Sequence, residues 1–203
     1  MKKLAILGAS GHGKVVADCA HSCGWDEVVF FDDAWPELST NGHWPVAGDT
    51  ARLMATLDDF DGVIVAIGNS HIRHTKLEAL EQARATVVSL VHPAAFVSSH
   101  AVIGAGTVVF AGAVVNVDAR LGRGVIINTG ATVDHDCVLG DAVHISPGAN
   151  IAGGVRVGHR SWVGIGAAVK QLVSIGDDAV VGAGAAVVRD VGDGVTVVGV
   201  PAR

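Results

Sequence analysis

From Val97 to Val187 every sixth residue is aliphatic, beginning Val97, Ile103, Val109, Val115, Leu121 and ending Ile175, Val181, Val187, without an insertion. A second register runs beside it: the next residue is glycine at Gly104, Gly122, Gly140, Gly158 and Gly176, eighteen apart, so three hexapeptides make one structural turn. A period of six suits neither an amphipathic helix nor a two-sided strand. It suits a chain wound round a triangular prism with one short strand per face, a parallel β-helix. Residues four beyond each aliphatic one, such as Ala101, Thr107, Ala113, Ala131, Cys137, Ala149, Ser161 and Ala167, are small or β-branched and suit a narrow interior. Coils stacked at about 4.8 Å give a prism on the order of 25 Å tall, in which each coil buries its apolar face only against its neighbours.

The first ninety residues follow another pattern, with apolar strands alternating with helical stretches. Leu4–Leu7 reads as a strand, Gly8-Ala9-Ser10-Gly11-His12-Gly13 as a tight turn opening a helix from about Lys14 to Ser22, and Val28–Phe31 as a second strand ending in Asp32-Asp33. Further helices are expected at 50–57 and 72–82, a strand at 62–67 running into Gly68-Asn69, and a last strand at 86–90 before His92-Pro93. That order is a Rossmann-like α/β domain. The expected organisation is therefore residues 1–91 as a nucleotide-binding domain and 92–203 as a β-helix with a C-terminal tail.

Composition narrows the chemistry. The chain has 203 residues, half of them apolar, and a formal charge of −6 without any Lys/Arg run, which argues against nucleic acid and for small-molecule partners. Cys19, Cys23 and Cys137 have neither metal-ligand spacing nor a paired framework, and no signal segment or membrane-length apolar span is read. A cytoplasmic location is expected.

In the first domain, a glycine turn between strand and helix lets backbone N–H groups approach a phosphate, and Asp32 follows at about the distance that places an acid on a ribose. Ser10, Gly11, His12, Asp32, Asp33, Gly68 and Asn69 are the candidate substrate contacts. The plainer alternative is that the glycines only turn the chain and the aspartates only end a strand. About ninety residues suit one nucleotide better than a dinucleotide, although an NAD-dependent enzyme is a rival reading.

In the repeat, His135 lies between Asp134 and Asp136 off the aliphatic register. A neutral imidazole accepts a proton from an amine or hydroxyl, and a neighbouring carboxylate orients it and raises its basicity. Asp136 is the candidate carboxylate, with Asp134 an alternative; a solvated corner histidine is the bland reading. The intervals among His135, His144 and His159 match no compact ligand motif, so no metal is expected. Cys137 falls at an inward position, which argues against a covalent acyl-enzyme.

These residues resemble the PglD/NeuD-like branch of hexapeptide-repeat acyltransferases. The resemblance is carried by Gly8–Gly13, Phe31-Asp32-Asp33, Ala66-Ile67-Gly68-Asn69, Ile126-Ile127-Asn128-Thr129, Asp134–Gly140, His144-Ile145-Ser146 and Gly199–Arg203. It implies a left-handed coil, which the period alone does not encode and which runs against the usual right-handed crossover. It implies a homotrimer, with a UDP-linked amino sugar on the small domain and acetyl-coenzyme A between adjacent β-helices. By the same resemblance His135 is the catalytic base and Asp136 the acid that tunes it, where close relatives often carry glutamate. His12 and Asn128 are implied as substrate contacts, and His144, Gly153, Ile165 and Ala183 as coenzyme A contacts, Gly153 through its backbone N–H. The expected reaction is acetyl transfer to a sugar 4-amine. Rivals are O-acetylation of a sugar of the sialic-acid type and a non-catalytic nucleotide-binding trimer.

Overall fold

The computed structural model describes residues Met1–Arg203, which divide into two compact units, Met1–His92 and Pro93–Arg203. In the first, β1 (Lys3–Leu7), α1 (Gly11–Ser22), β2 (Glu27–Phe31), β3 (Thr40–Asn41), β4 (Trp44–Gly48), α2 (Thr50–Ala55), β5 (Gly62–Val65) and α3 (Ser70–Gln82) follow in order. The sheet order is β3-β4-β2-β1-β5, so the chain leaves interior β1 for β2 on one side and returns as β5 on the other. The loops after β1 and β5 thus flank a topological switch point, where open α/β sheets take ligands. Leu4–Leu7 and Phe30 are at most 1 % exposed, and the central strands read as continuous apolar runs because helices cover both faces.

Three local expectations shift. The first helix begins at Gly11, inside the glycine turn, because Ser10 carries extended backbone angles and serves as the N-cap. Of the strand expected at 86–90, only Leu90 lies in one, the two-residue Leu90–Val91, and Val87 makes an isolated parallel bridge to Val63. Between β2 and α2 an unforeseen hairpin joins β3 to β4, turning at Gly42-His43 with Gly42 at φ +63°.

In the second unit, two-residue strands recur every six residues and pair in parallel with strands eighteen residues away. We number the faces in chain order, with Phe96–Val97, Val102–Ile103 and Val108–Val109 starting the first, second and third. The aliphatic register from Val109 to Val187 is buried throughout, with the small residues four positions on filling the space between. Buried Thr107 and Ser161 are satisfied, their hydroxyls donating to Gly122 O and Gly176 O at 3.0 and 2.6 Å. The last coil is two residues short, since Ile175 pairs with Val191 and Val181 with Val197, sixteen apart. The chain is an α/β domain followed by a left-handed parallel β-helix.

The glycine register has a physical cause. One edge of the prism carries a ladder in which Asp141, His159, Asp177 and Asp193 each accept the backbone N–H of the residue one coil earlier, at 2.7–2.9 Å. Each acceptor lies over the glycine of the preceding coil: a Cβ on Gly158 would stand about 2.5 Å from Asp177 N and Gly176 C, both backbone atoms. Gly158→Ala must therefore displace main chain, at a cost of about 1–3 kcal/mol. At roughly 2–4 °C per kcal/mol for a chain of this size, calorimetry should show a melting temperature several degrees lower.

Fourteen successive corners, from Gly106 to Asp178 and Gly184, take positive φ at the position three beyond the aliphatic residue. Glycine occupies eight of them; Asp118, Asp136, Ala142, Arg160, Leu172 and Asp178 hold the rest. No helix is long and apolar enough to cross a membrane.

Candidate active site

His135 lies at the corner where the first face turns into the second, two residues past buried Val133. Its exposed ring is fixed from both sides of the sequence. Asp136, at φ +59°, turns its carboxylate back so that Oδ2 accepts from Nδ1 at 2.8 Å. Aspartate tolerates the left-handed conformation better than most residues, so the corner places the carboxylate at no unusual cost. Asp134 instead holds the backbone: its Oδ1 accepts His135 N–H at 2.8 Å and the Asn116 amide at 2.9 Å. Those bonds keep the Asp134 carboxyl below its usual range, the His135 N–H being the main cause.

With the Nδ1 proton directed at Asp136, Nε2 carries the free lone pair. That nitrogen hangs over the next coil, where a Cβ on Gly153 would lie 2.6 Å from both Nε2 and Cε1. Gly153 N–H donates to no group of the chain. The corner thus pairs a proton acceptor with a backbone donor over a floor that only glycine leaves open. Asp134, His135, Asp136, Gly153, Gly154, Gln171 and Leu172 line a cavity of about 460 Å³. Cys137 points inward, its Sγ donating to Ala152 O at 3.2 Å, and burial raises its pKa, so it is no nucleophile.

Asp136 raises the His135 pKa above 6.5 chiefly through the hydrogen bond to Nδ1, aided by the charge of Asp134. A base must be neutral to act, so a reaction in which His135 filled that role would speed up as pH rises through the elevated value. In Asp136→Asn the acidic limb of the kcat/KM profile should move to lower pH while the plateau falls about tenfold or more. A profile that keeps the wild-type limb would remove Asp136 from the role.

The other expected coenzyme A contacts lie elsewhere on the prism. His144, Ile165 and Ala183 line a second cavity, about 540 Å³, on the third face and its corner, with Ser146, Trp162 and Gly182. His144 is 7 % exposed and stacks on Trp162 at 4.7 Å between centroids, while Trp162 Nε1 donates to Ser146 Oγ at 2.6 Å. Asn128 Nδ2 reaches His144 Nε2 at 3.2 Å, and Asn128 Oδ1 accepts the N–H of Thr129. Gly153, by contrast, belongs to the His135 corner.

In the α/β unit, most candidate contacts are already engaged. Asp32 accepts Ala9 N–H at 2.7 Å and Ala34 N–H at 2.9 Å, tying the glycine turn to the end of β2. Asp33 accepts from Lys76 Nζ at 2.8 Å and from Thr50 N, and its pKa falls to about 2, mainly through Lys76. Asn69 caps α3 through Ile72 N–H. Added Cβ atoms at Gly11 and Gly68 would meet nothing within 4 Å, so both loops border open space, and Ser10 is exposed. His12 is held neutral, its pKa lowered to about 4 by burial and then by the Arg73 cation.

Sequence reading passed over Arg73, Trp162, Gln171 and Leu172. Arg73 is 1 % exposed and donates through Nη1 to Ile67 O and Gly68 O at 2.8 Å, which fixes the loop after β5. No group of three or more His, Cys, Asp or Glu side chains is placed to hold a metal ion.

Residues 3–80 match the family described as the PglD N-terminal domain. The UDP-N-acetylbacillosamine N-acetyltransferase of Bacillus subtilis (strain 168) is 39 % identical over 114 residues, and the match spans about half the length of that curated relative, 52 % of it and 55 % of this chain. Among solved structures, the acetyltransferase domain of PglB from Neisseria gonorrhoeae in complex with acetyl coenzyme A is 45 % identical, with a TM-score of 0.95 over 100 % of this chain and 98 % of that one. PerB from Caulobacter crescentus, in complex with CoA and GDP-perosamine, is 39 % identical, with a TM-score of 0.95 over 100 % and 97 % of the two chains.

Proposed function

The chain belongs to the PglD-like family of β-helical sugar acetyltransferases, and on that premise we propose that it transfers an acetyl group from acetyl-coenzyme A to the 4-amine of a UDP-linked amino-deoxy sugar. The α/β domain binds the nucleotide sugar through the loops after β1 and β5. Chemistry takes place at His135. The observation that carries the reading is the His135 corner: Nδ1 is held by Asp136, and Nε2 stands above the open backbone of Gly153.

Acetyl-coenzyme A supplies an activated acyl group whose carbonyl oxygen gains negative charge as the amine attacks. His135 Nε2 accepts the amine proton as the C–N bond forms, Asp136 stabilises the imidazolium that results, and when the thioester C–S bond breaks that proton passes to the departing coenzyme A thiolate. Gly153 N–H donates to the developing charge, a fixed dipole that needs no reorganisation. The missing Cβ at Gly153 leaves room for the acyl group, since any side chain there would occupy the floor beneath the imidazole.

The division of the coenzyme contacts favours a homotrimer. Gly153 lies at one edge and His144, Ile165 and Ala183 on the third face, so one molecule of coenzyme touches all four where the third face of a second copy meets the His135 edge of the first. The three free cysteines suit a reducing, cytoplasmic compartment.

Release of the coenzyme thiol tests the function. Acetyl-coenzyme A is offered with UDP-4-amino sugars, their GDP counterparts and matched 4-hydroxy sugars. Fast release with the UDP amine and little with the others is expected. A preference for the hydroxy sugar would establish O-acetylation instead, and nucleotide binding without thiol release would make the β-helix a scaffold.

A further inference from the structure

Leu172 stands where the fold's own physics disfavours it. Its φ is +62°, in the corner register that glycine dominates, and it is the only large aliphatic residue at any of those corners. A bulky residue in that conformation is strained. Its side chain is also 78 % exposed. Strain and exposure both oppose leucine at this position, which directs attention to what the side chain does.

Its place answers that. The corner stacks three coils through the main chain, with Gly154 N–H donating to His135 O at 2.9 Å and Leu172 N–H to Gly153 O at 3.0 Å. His135 leans over Gly153 from one side, while Leu172 Cδ2 leans over Gly154 from the other, 2.7 Å from where a Cβ would stand. Two side-chain-free residues form the floor, and an imidazole and an isobutyl group form opposing walls of the same cavity. Leu172 is the one large apolar side chain in that lining, which otherwise holds Asp134, His135, Asp136, Gln171 and small residues.

We infer that Leu172 is a specificity-determining residue whose side chain closes the acyl end of the cavity, so that a two-carbon acyl group fits between it and His135 and longer acyl groups do not. This rests on the reading of His135 and Gly153 as the acyl-transfer site. The substrate class concerned is the acyl thioester, and the property set is chain length. Where a side chain limits the room for an acyl chain, one methylene changes kcat/KM by roughly 10–200-fold, and overpacking opposes the longer chain.

Leu172→Gly tests this without endangering the fold, because glycine adopts positive φ freely and removes exposed apolar surface. Leu172→Asn, also tolerant of that conformation, serves as a second variant. We would measure kcat/KM for acetyl-, propionyl- and butyryl-coenzyme A at saturating amino sugar, together with melting temperature and mass by light scattering. The expected result is an unchanged or higher melting temperature, with the propionyl-to-acetyl ratio raised about tenfold or more in Leu172→Gly. An unchanged ratio overturns the inference, as does wild-type enzyme that already uses butyryl- as well as acetyl-coenzyme A. Loss of assembly with an unchanged ratio overturns it too and assigns Leu172 to a subunit contact. If wild type turns over no thioester, the acyltransferase reading itself falls; if it turns over acetyl-coenzyme A with the ratio unmoved by the variant, only the role of Leu172 does.

Discussion

Replacing His135 with alanine is expected to lower kcat by about 10² to 10⁴, the usual contribution of a positioned general base, while KM for both substrates changes little. The structure separates this loss from any loss of fold. The His135 ring is exposed, and its only side-chain bond is to the equally exposed Asp136. The main-chain bonds of the corner, from His135 N–H to Asp134 and from Gly154 N–H to His135 O, survive in the variant. Stability should stay within about 0.5 kcal/mol of wild type, as for other surface substitutions away from structural features. Steady-state kinetics beside a melting curve checks both halves.

Gly153→Ala is the second large effect, and it acts on the same imidazole from below. The backbone at Gly153 does not demand glycine, because its φ lies outside the positive range. The demand comes from the ring, since a Cβ would lie 2.6 Å from Cε1 and Nε2 and must push the imidazole off its seat. A displacement of about 1 Å in reacting geometry is worth on the order of 10²-fold in rate. The expected outcome is a kcat loss of that size with little change in melting temperature. Because the two residues are in contact, a double-mutant cycle should show that most of the Gly153→Ala loss disappears in the His135→Ala background. Additive losses would mean that Gly153 acts independently of the ring.

Much of this was legible in the chain. The sixfold register identified the core of the β-helix because an inward position on a prism has no solvent alternative, and Val109 through Val187 are buried as that predicts. The same register set His135 and Asp136 apart as residues the core does not use. What escaped did so for physical reasons. The glycines every eighteen residues mark a close approach to the next coil along the Asp141–Asp193 ladder, a contact between residues distant in sequence. The positive-φ register was present in Gly106, Gly112, Gly124 and Gly130, three beyond the aliphatic positions, and reading it would have exposed Leu172 as an anomaly. Gly42-His43, a glycine-first two-residue turn, went unread because the strands it joins are short and one contains Pro45. The engagement of Asp32 with Ala9 N–H depends on how tightly β1 and β2 are paired, which no single-sequence pattern encodes. Nor does the repeat reveal that His144 and Gly153 lie on different parts of the prism; only counting corners separates them.

The central claim is that His135 Nε2 receives the proton of the attacking amine. A ternary complex with coenzyme A and a UDP-4-amino sugar tests it most directly. The account predicts the sugar amine within about 3.2 Å of Nε2, on the face of the imidazole that overlooks Gly153. An amine held by other groups, with neither His135 nor a single bridging water within hydrogen-bond reach, would contradict it.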